Sequence, residues 1–210
     1  MKLHKYYQRA SLPHGFWGKR VLKLMNDEQL HGAMPRWALD GLDIDPKASI
    51  LDIGCGGGAN IKRLLSLYPE CSVVGIDHSS LALDYAYNLN YDEILQRCIV
   101  VEGDIETMHI SKDSFDLVTA FECAYYCNMQ SCMAQIMKVL KPGGMLLIAN
   151  EMDGESPMCR SLEAKTDHRI HAFTIEELKL ILADSGYTSI HSKRHQPQGF
   201  IAVTGVKPHT

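Results

Sequence analysis

The 210-residue chain predicts an α/β fold built on a doubly wound, mostly parallel seven-stranded sheet, on three observations. Short apolar runs at Ser49–Ile53, 72–76, 99–102, 115–120 and 145–149 alternate with helix-period patterns at 60–68, 80–90 and 130–140. Strand, helix and strand in repetition places parallel strands between two helix layers. The first run breaks off into the glycine-dense turn Gly54-Cys55-Gly56-Gly57-Gly58, as a buried strand does when it hands over to a helix through a loop that must approach something closely. The last two runs, 187–193 and 199–206, are separated only by Gln196-Pro197-Gln198-Gly199. A link that short requires them to pair antiparallel, so one antiparallel strand is expected near the C-terminus.

The remaining elements follow from local signals. Between 3 and 42 the apolar and aromatic residues, among them Tyr6, Tyr7, Phe16, Trp17, Leu22, Met25, Leu30, Met34 and Trp37, show no strand alternation and predict helix. Residues 1–47 are therefore expected to form a helical extension or lid, and 48–210 the main domain. After the first strand, Ile61, Leu64, Leu65 and Tyr68 fall on one helix face. Lys141-Pro142-Gly143-Gly144 reads as a tight turn feeding the fifth strand. Thr174 with Glu177 forms a capping box for a helix that Gly186 ends. The polar connection 151–172 is long enough to hold a helix of its own and to cover the substrate side.

Composition narrows the function classes. With 46% hydrophobic and 22% charged residues the chain is an ordinary globular one. A net charge of -4 gives no electrostatic reason to expect nucleic acid or an anionic membrane as partner. No run approaches the roughly 20 apolar residues of a membrane span, and residues 1–10 lack the apolar core of an export signal. Seven irregularly spaced cysteines fit reduced, buried thiols and a cytoplasmic location.

Candidate chemistry sits where strands end, the place where open α/β sheets bind ligands. Asp77 closes the second strand, about 20 residues beyond the glycine turn, where a carboxylate accepts from both hydroxyls of a ribose; it would also serve as a helix cap. Asp104 closes the third strand and either reads an adenine amino group or shapes a turn. Phe121 and Glu122 close the fourth. Cys55 fits as a small side chain rather than a nucleophile. The glycine turn satisfies G-x-G-x-x-G/A, so NAD is a rival ligand on that pattern alone. Asp52 ahead of the turn, the acid after the third strand and the Lys-Pro-Gly-Gly turn weigh against it.

Taken in order, these segments resemble the class I S-adenosylmethionine-dependent methyltransferases, a Rossmann-like family, and in particular small-molecule members with a short N-terminal helical extension. Asp52-Ile53-Gly54-Cys55-Gly56-Gly57-Gly58 is similar to the first motif of that family, Gly75-Ile76-Asp77 to the second, Gly103-Asp104 to the third, and Leu140-Lys141-Pro142-Gly143-Gly144 to the turn before the fifth strand. The resemblance implies S-adenosylmethionine as cofactor and S-adenosylhomocysteine as product. It implies that Gly54, Cys55 and Gly56 line the methionyl part, that Asp52 orients its ammonium directly or through water, and that Asp77 holds the ribose. His78 and Ser79 would border the adenine, Asp104 and Ile105 would read its edge, and Phe121 and Glu122 would lie beside the sulfonium.

The substrate side is less determined. Where nucleic-acid amino-methyltransferases carry Asn/Asp-Pro-Pro-aromatic, this chain has Phe121-Glu122-Cys123-Ala124-Tyr125-Tyr126, which together with the acidic charge points to a small-molecule acceptor and no nucleic-acid or membrane partner. Tyr125 and Tyr126 either wall the acceptor or pack on the next helix. In the lid, His31, Met34 and Trp37 are expected to face the pocket, with His31 either a base or a structural histidine. No catalytic residue, acceptor or oligomeric state follows from the sequence, and no metal is expected: Cys123, Cys127 and Cys132 lack a C-x-x-C spacing, and His168 with His171 has no third ligand. The competing functions are an NAD(P)-dependent oxidoreductase and a non-catalytic domain that binds S-adenosylmethionine.

Overall fold

A computed structural model describes residues 13–166, 170–196 and 198–209. Three helices open the described chain: α1 (Gly15–Met25), α2 (Glu28–His31) and α3 (Ala33–Leu39). The alternating body follows as β1 (Ser49–Ile53), α4 (Ala59–Leu67), β2 (Ser72–Asp77), α5 (Ser80–Leu89), β3 (Cys98–Glu102), β4 (Phe115–Phe121), α6 (Met129–Val139) and β5 (Leu140–Asn150). Helix α7 (Pro157–Lys165) lies in the long connection, and α8 (Ile175–Asp184), β6 (Thr188–His195) and β7 (Phe200–Val206) complete the chain.

The seven strands form one sheet in the order β3-β2-β1-β4-β5-β7-β6. All neighbours up to β5 are parallel, while β7 runs antiparallel to both β5 and β6. The expected single antiparallel strand is thus β7. The strand order reverses between β1 and β4, so the crevice beyond their C-terminal ends is the place where this topology leaves room for a ligand.

Alternation along the strands supplies two cores. Leu51, Val118, Leu146 and Ile148 face α6 and α8 on one side. Ile50, Leu117 and Leu147 face α4 on the other, with Ile61, Leu64 and Leu65 from the helix. Each such buried aliphatic side chain contributes about 1.5–3 kcal/mol. Met34, Ala38 and Leu39 of α3 belong to this second core. Lys193 of β6 fastens α3 from outside: its Nζ donates to the carbonyls of Trp37 and Asp40 and lies 4.9 Å from the Trp37 ring centre. α3 is therefore built into the body of the fold.

Two local expectations change in detail. The Lys141-Pro142-Gly143-Gly144 turn lies inside β5 as a bulge: Phe115 pairs with Leu140 and Leu117 already with Met145. It holds there because Gly143 takes φ +80° and β7's continuation staples it, Gly143 N–H donating to Lys207 O and Lys207 N–H to Gly144 O, both at 2.9 Å. In the 151–172 connection, Met152, Cys159, Leu162, Ile170 and Ala172 form a small apolar cluster with Tyr125. The capping box is present with both bonds. Pro197 of the last turn, Tyr6, Tyr7 and His168 lie outside the described residues.

Candidate active site

The glycine turn follows β1 directly, and two of its residues explain its composition. Gly54 has φ +64°, and a Cβ there would stand 2.7 Å from the Cβ of Cys123. Gly58 caps α4 at φ +83°, and a Cβ would stand 2.7 Å from Ala86 Cα on α5. Turn and helices consequently close on one another to a distance that side chains forbid. Asp77, at the end of the neighbouring β2, locks the turn. Its Oδ2 accepts from Gly56 N–H and its Oδ1 from Ser79 N–H, both at 2.9 Å.

A cleft spreads from this turn, about 1050 Å³ with the open solvent at its mouth included. Its floor and one wall are Gly54, Cys55, Gly56, Gly57, Asp77 and His78. The other side is made by Phe121, Glu122, Cys123, Tyr126 and Glu151 from the ends of β4 and β5, and the roof by Met25, Asn26, His31 and Met34 from α1 to α3. Asn26 ties roof to floor, its Nδ2 donating to Gly57 O at 2.9 Å. Glu28 is held by the two guanidinium groups of Arg36 and Arg63.

The far side of the turn carries a cluster of ionisable groups. Glu122 follows β4 at φ +57°, a left-handed conformation for a residue with a side chain. Its N–H donates to Ala149 O at 3.0 Å. Its Oε1 accepts from Tyr125 OH at 2.9 Å and from Glu151 N–H. His31 Nδ1 stands 2.8 Å from Glu151 Oε1. Burial, and then the nearby Glu151 charge, push Glu122 up to about 8. The bond to Glu151 raises His31 above the usual histidine value, against a desolvation that lowers it.

Most expected site residues meet at this cleft: Gly54, Cys55, Gly56, Asp77, His78, Phe121, Glu122, His31, Met34 and Tyr126 line it. Six do not. Asp52 is 1% exposed and lies under the turn, its Oδ1 accepting from Thr119 Oγ1 at 2.7 Å and its Oδ2 with no protein partner among the described residues. Burial pushes it up to about 7. Ser79 is a buried helix cap, accepting from Ala82 N–H and donating to Pro13 O. Asp104 closes its own exposed turn by accepting from Glu106 N–H, and that turn folds Ile105 into the core. Trp37 packs edge-on to His195 and beside Phe200, on the face of α3 away from the cleft. Tyr125 is buried in the small cluster with Cys159 and Leu162 of α7, off the cleft and away from the following helix α6.

Sequence reasoning missed Asn26, Arg63, Cys123 and Glu151. Glu151 had a usable signal, because it follows the end of a parallel strand, where such sheets bind ligands. Asn26 and Arg63 had none; they reach the cleft through helix docking. All seven cysteines are free, and Cys123 Sγ lies 3.2 Å from Ile53 O. Among the described residues no three His, Cys, Asp or Glu side chains are grouped to hold a metal. No helix among them is long and apolar enough to cross a membrane.

A family model described as "Methyltransferase domain" matches residues 44–193, from ahead of β1 into β6. The chain belongs to this methyltransferase family. The class I resemblance and the sheet topology therefore agree with the family assignment. A sterol 24-C-methyltransferase of Debaryomyces hansenii is 30% identical over 109 residues, 50% of this chain and 28% of that protein. One from Gibberella zeae is 23% identical over 90% of this chain and 53% of its own length. The chain spans about a third of the first such relatives, between 28% and 34% of each. Among solved structures, a chain of the complex between the Haloferax volcanii Trm112 methyltransferase activator and a methyltransferase superposes with TM-score 0.82 at 17% identity, covering 98% of both chains. Geranyl diphosphate C-methyltransferase of Streptomyces coelicolor gives TM-score 0.72 at 12% identity over 95% of this chain and 84% of its own. At these identities the superpositions establish the fold.

Proposed function

We propose that the protein is an S-adenosylmethionine-dependent methyltransferase acting on a small-molecule acceptor in the cytoplasm. The observation that carries the reading is Asp77: a carboxylate at the end of β2, anchored on the glycine turn and opening into the same cleft as Gly54, Cys55 and Gly56. Both its oxygens keep a lone pair for the hydroxyls of a ribose. His78 borders the adenine side, and Phe121 lies toward the sulfur. The chemistry the cofactor supplies when bound is a methyl group on a sulfonium, whose C–S bond breaks with its electron pair left on sulfur as the acceptor's lone pair bonds to carbon.

The residues of the chain then have to hold the acceptor in line and keep water out, which supplies much of the rate for a reaction on an already activated carbon. Met25, Met34, Phe121 and Tyr126 give apolar walls for it. Because α3 is fixed in the core, any opening of the roof belongs to α1 and α2. Asp52 supports the turn from below and acts on the cofactor ammonium through water, since its carboxyl does not line the cleft.

Isothermal titration with S-adenosylhomocysteine and with NAD and NADP tests the reading. Binding of S-adenosylhomocysteine in the micromolar range with none of the dinucleotides is the expected result. Binding of a dinucleotide alone would return the cleft to the oxidoreductase alternative, and tight cofactor binding with no turnover across a metabolite library would favour the sensor.

A further inference from the structure

Glu122, Glu151 and His31 form the acceptor subsite, and we infer that the group it takes is the nitrogen of an amine. The inference rests on the methyltransferase reading and adds the class of acceptor. By strand order Asp77 ends β2 and Glu122 ends β4, on opposite sides of the glycine turn that ends β1. The cluster thus stands across the turn from the ribose acid.

Charge points to a cation. The cleft is lined by five carboxylates, Asp27, Glu28, Asp77, Glu122 and Glu151, and by Arg63, His31 and His78. Arg63 is committed to Glu28 and Asp77 to the backbone of the turn. Two carboxyl groups then meet in the cluster, and the basic side chain there, His31, is bonded to Glu151. An anion entering here meets the Glu151 carboxylate with His31 already bonded to it, whereas an alkylammonium draws the proton off Glu122 and pairs with the carboxylate left behind. Met34, Phe121 and Tyr126 beside it accept an apolar body behind the nitrogen.

Geometry points to a site that is prepared in advance. Left-handed backbone at a residue with a side chain is strained, and such strain persists where the surroundings over-determine it. At Glu122 they do: the N–H is fixed to Ala149 O, and both side-chain bonds, from Tyr125 and from Glu151 N–H, end on Oε1. Oε2 is left to meet a ligand. The groups facing this carboxyl are Glu151 from the end of β5, Tyr125 from the turn after β4 and His31 from α2.

The same arrangement handles the proton. An amine enters as ammonium and must lose one proton before its lone pair can attack. Glu122, whose value is about 8, is mostly protonated at neutral pH. The entering ammonium displaces that proton to solvent. The carboxylate so formed takes a proton from the bound ammonium on Oε2, leaving the neutral amine against it. After transfer the nitrogen is a methylammonium and again cationic.

The test uses the full chain saturated with S-adenosylhomocysteine and three probes sharing a ring but differing in head group: 2-phenylethylamine, 2-phenylethanol and 3-phenylpropionate. By titration calorimetry at neutral pH the amine binds about 10-fold tighter than the others, the size expected for a bond to a charged group. Its binding also releases protons, seen as a heat that changes with the ionisation enthalpy of the buffer. Glu122→Gln removes both effects; Glu151→Gln provides the same comparison if the first variant melts early. Equal binding of alcohol or carboxylate, no amine binding at millimolar concentration, or an unchanged amine affinity in both variants overturns the inference. So does a variant that weakens S-adenosylhomocysteine but not 5′-methylthioadenosine, because the carboxylates then hold the cofactor's own ammonium. Failure of S-adenosylhomocysteine to bind the wild type instead refutes the proposed function itself.

Discussion

The two sides of the cleft are made in different ways. The side under the glycine turn is backbone, packed so closely that Gly58 stands where a Cβ would meet Ala86 of α5. Asp77 on this side is spent on holding that backbone and only then offered to a ligand. The side beyond β4 consists of side chains drawn from three separate segments, His31, Glu122 and Glu151, joined by the His31–Glu151 side-chain bond and by the backbone N–H of Glu151 donating to Glu122. A backbone cradle is a property of a contiguous stretch and is costly to alter. A side-chain cluster assembled across 120 residues of chain can be altered at little cost to the fold. The first suits a shared cofactor and the second an acceptor that differs between enzymes.

Substitutions on the cofactor side should therefore cost stability or cofactor, and the largest effect is expected beneath the turn. Asp52 is held near 7 by burial against 3.8 for the free side chain. A folded carboxyl with a raised value binds its proton more tightly than the unfolded one does. Its contribution is thus fully present below about pH 4 and is lost as pH rises through about 7, to the order of 4 kcal/mol. Asp52→Asn should flatten this slope in chemical denaturation of the unliganded protein between those limits. An unaltered slope would mean that the buried carboxyl is solvated. Gly58→Ala is expected to destabilise by about 2 kcal/mol or more, from left-handed strain and the clash with α5. A wild-type melting temperature for that variant would break the account of the turn.

Asp77→Ala comes next, with S-adenosylhomocysteine affinity reduced about 10- to 100-fold, as removal of a charged hydrogen-bond acceptor implies. An unchanged Kd would remove the ribose role. The smallest effect sharpens the comparison from the acceptor side. His31 is raised by Glu151, so the pair stabilises the fold below the free histidine value, about 6.5, and loses that contribution as pH rises through the folded value. With both side chains partly exposed the size is below about 1 kcal/mol. His31→Gln should lower the melting temperature slightly at mildly acidic pH and not at all well above neutrality. A deficit that persists at high pH would assign His31 a packing role.

How far the site was legible follows the same division. The glycine turn, Asp77 and the ends of β2 and β4 were readable because strand period, turn chemistry and spacing are local. Asp104 and Ser79 lie off the cleft in the second local use that an acid or hydroxyl after a strand has, closing a turn or capping a helix. Trp37 was assigned to the cleft from its neighbourhood with His31 and Met34, but helix phase turns it to His195 and Phe200. Glu151 lay unremarked at the end of β5.

The sequence by itself determined the sheet, its single antiparallel strand, the two-sided core and the cradle, because each is written in periodicity and in glycines that only one backbone path explains. The tertiary structure alone decided which acids open into the cleft, that α3 is part of the body, and that His31 meets Glu151. Those are contacts between segments far apart in the chain, and no local pattern encodes the docking that brings them together.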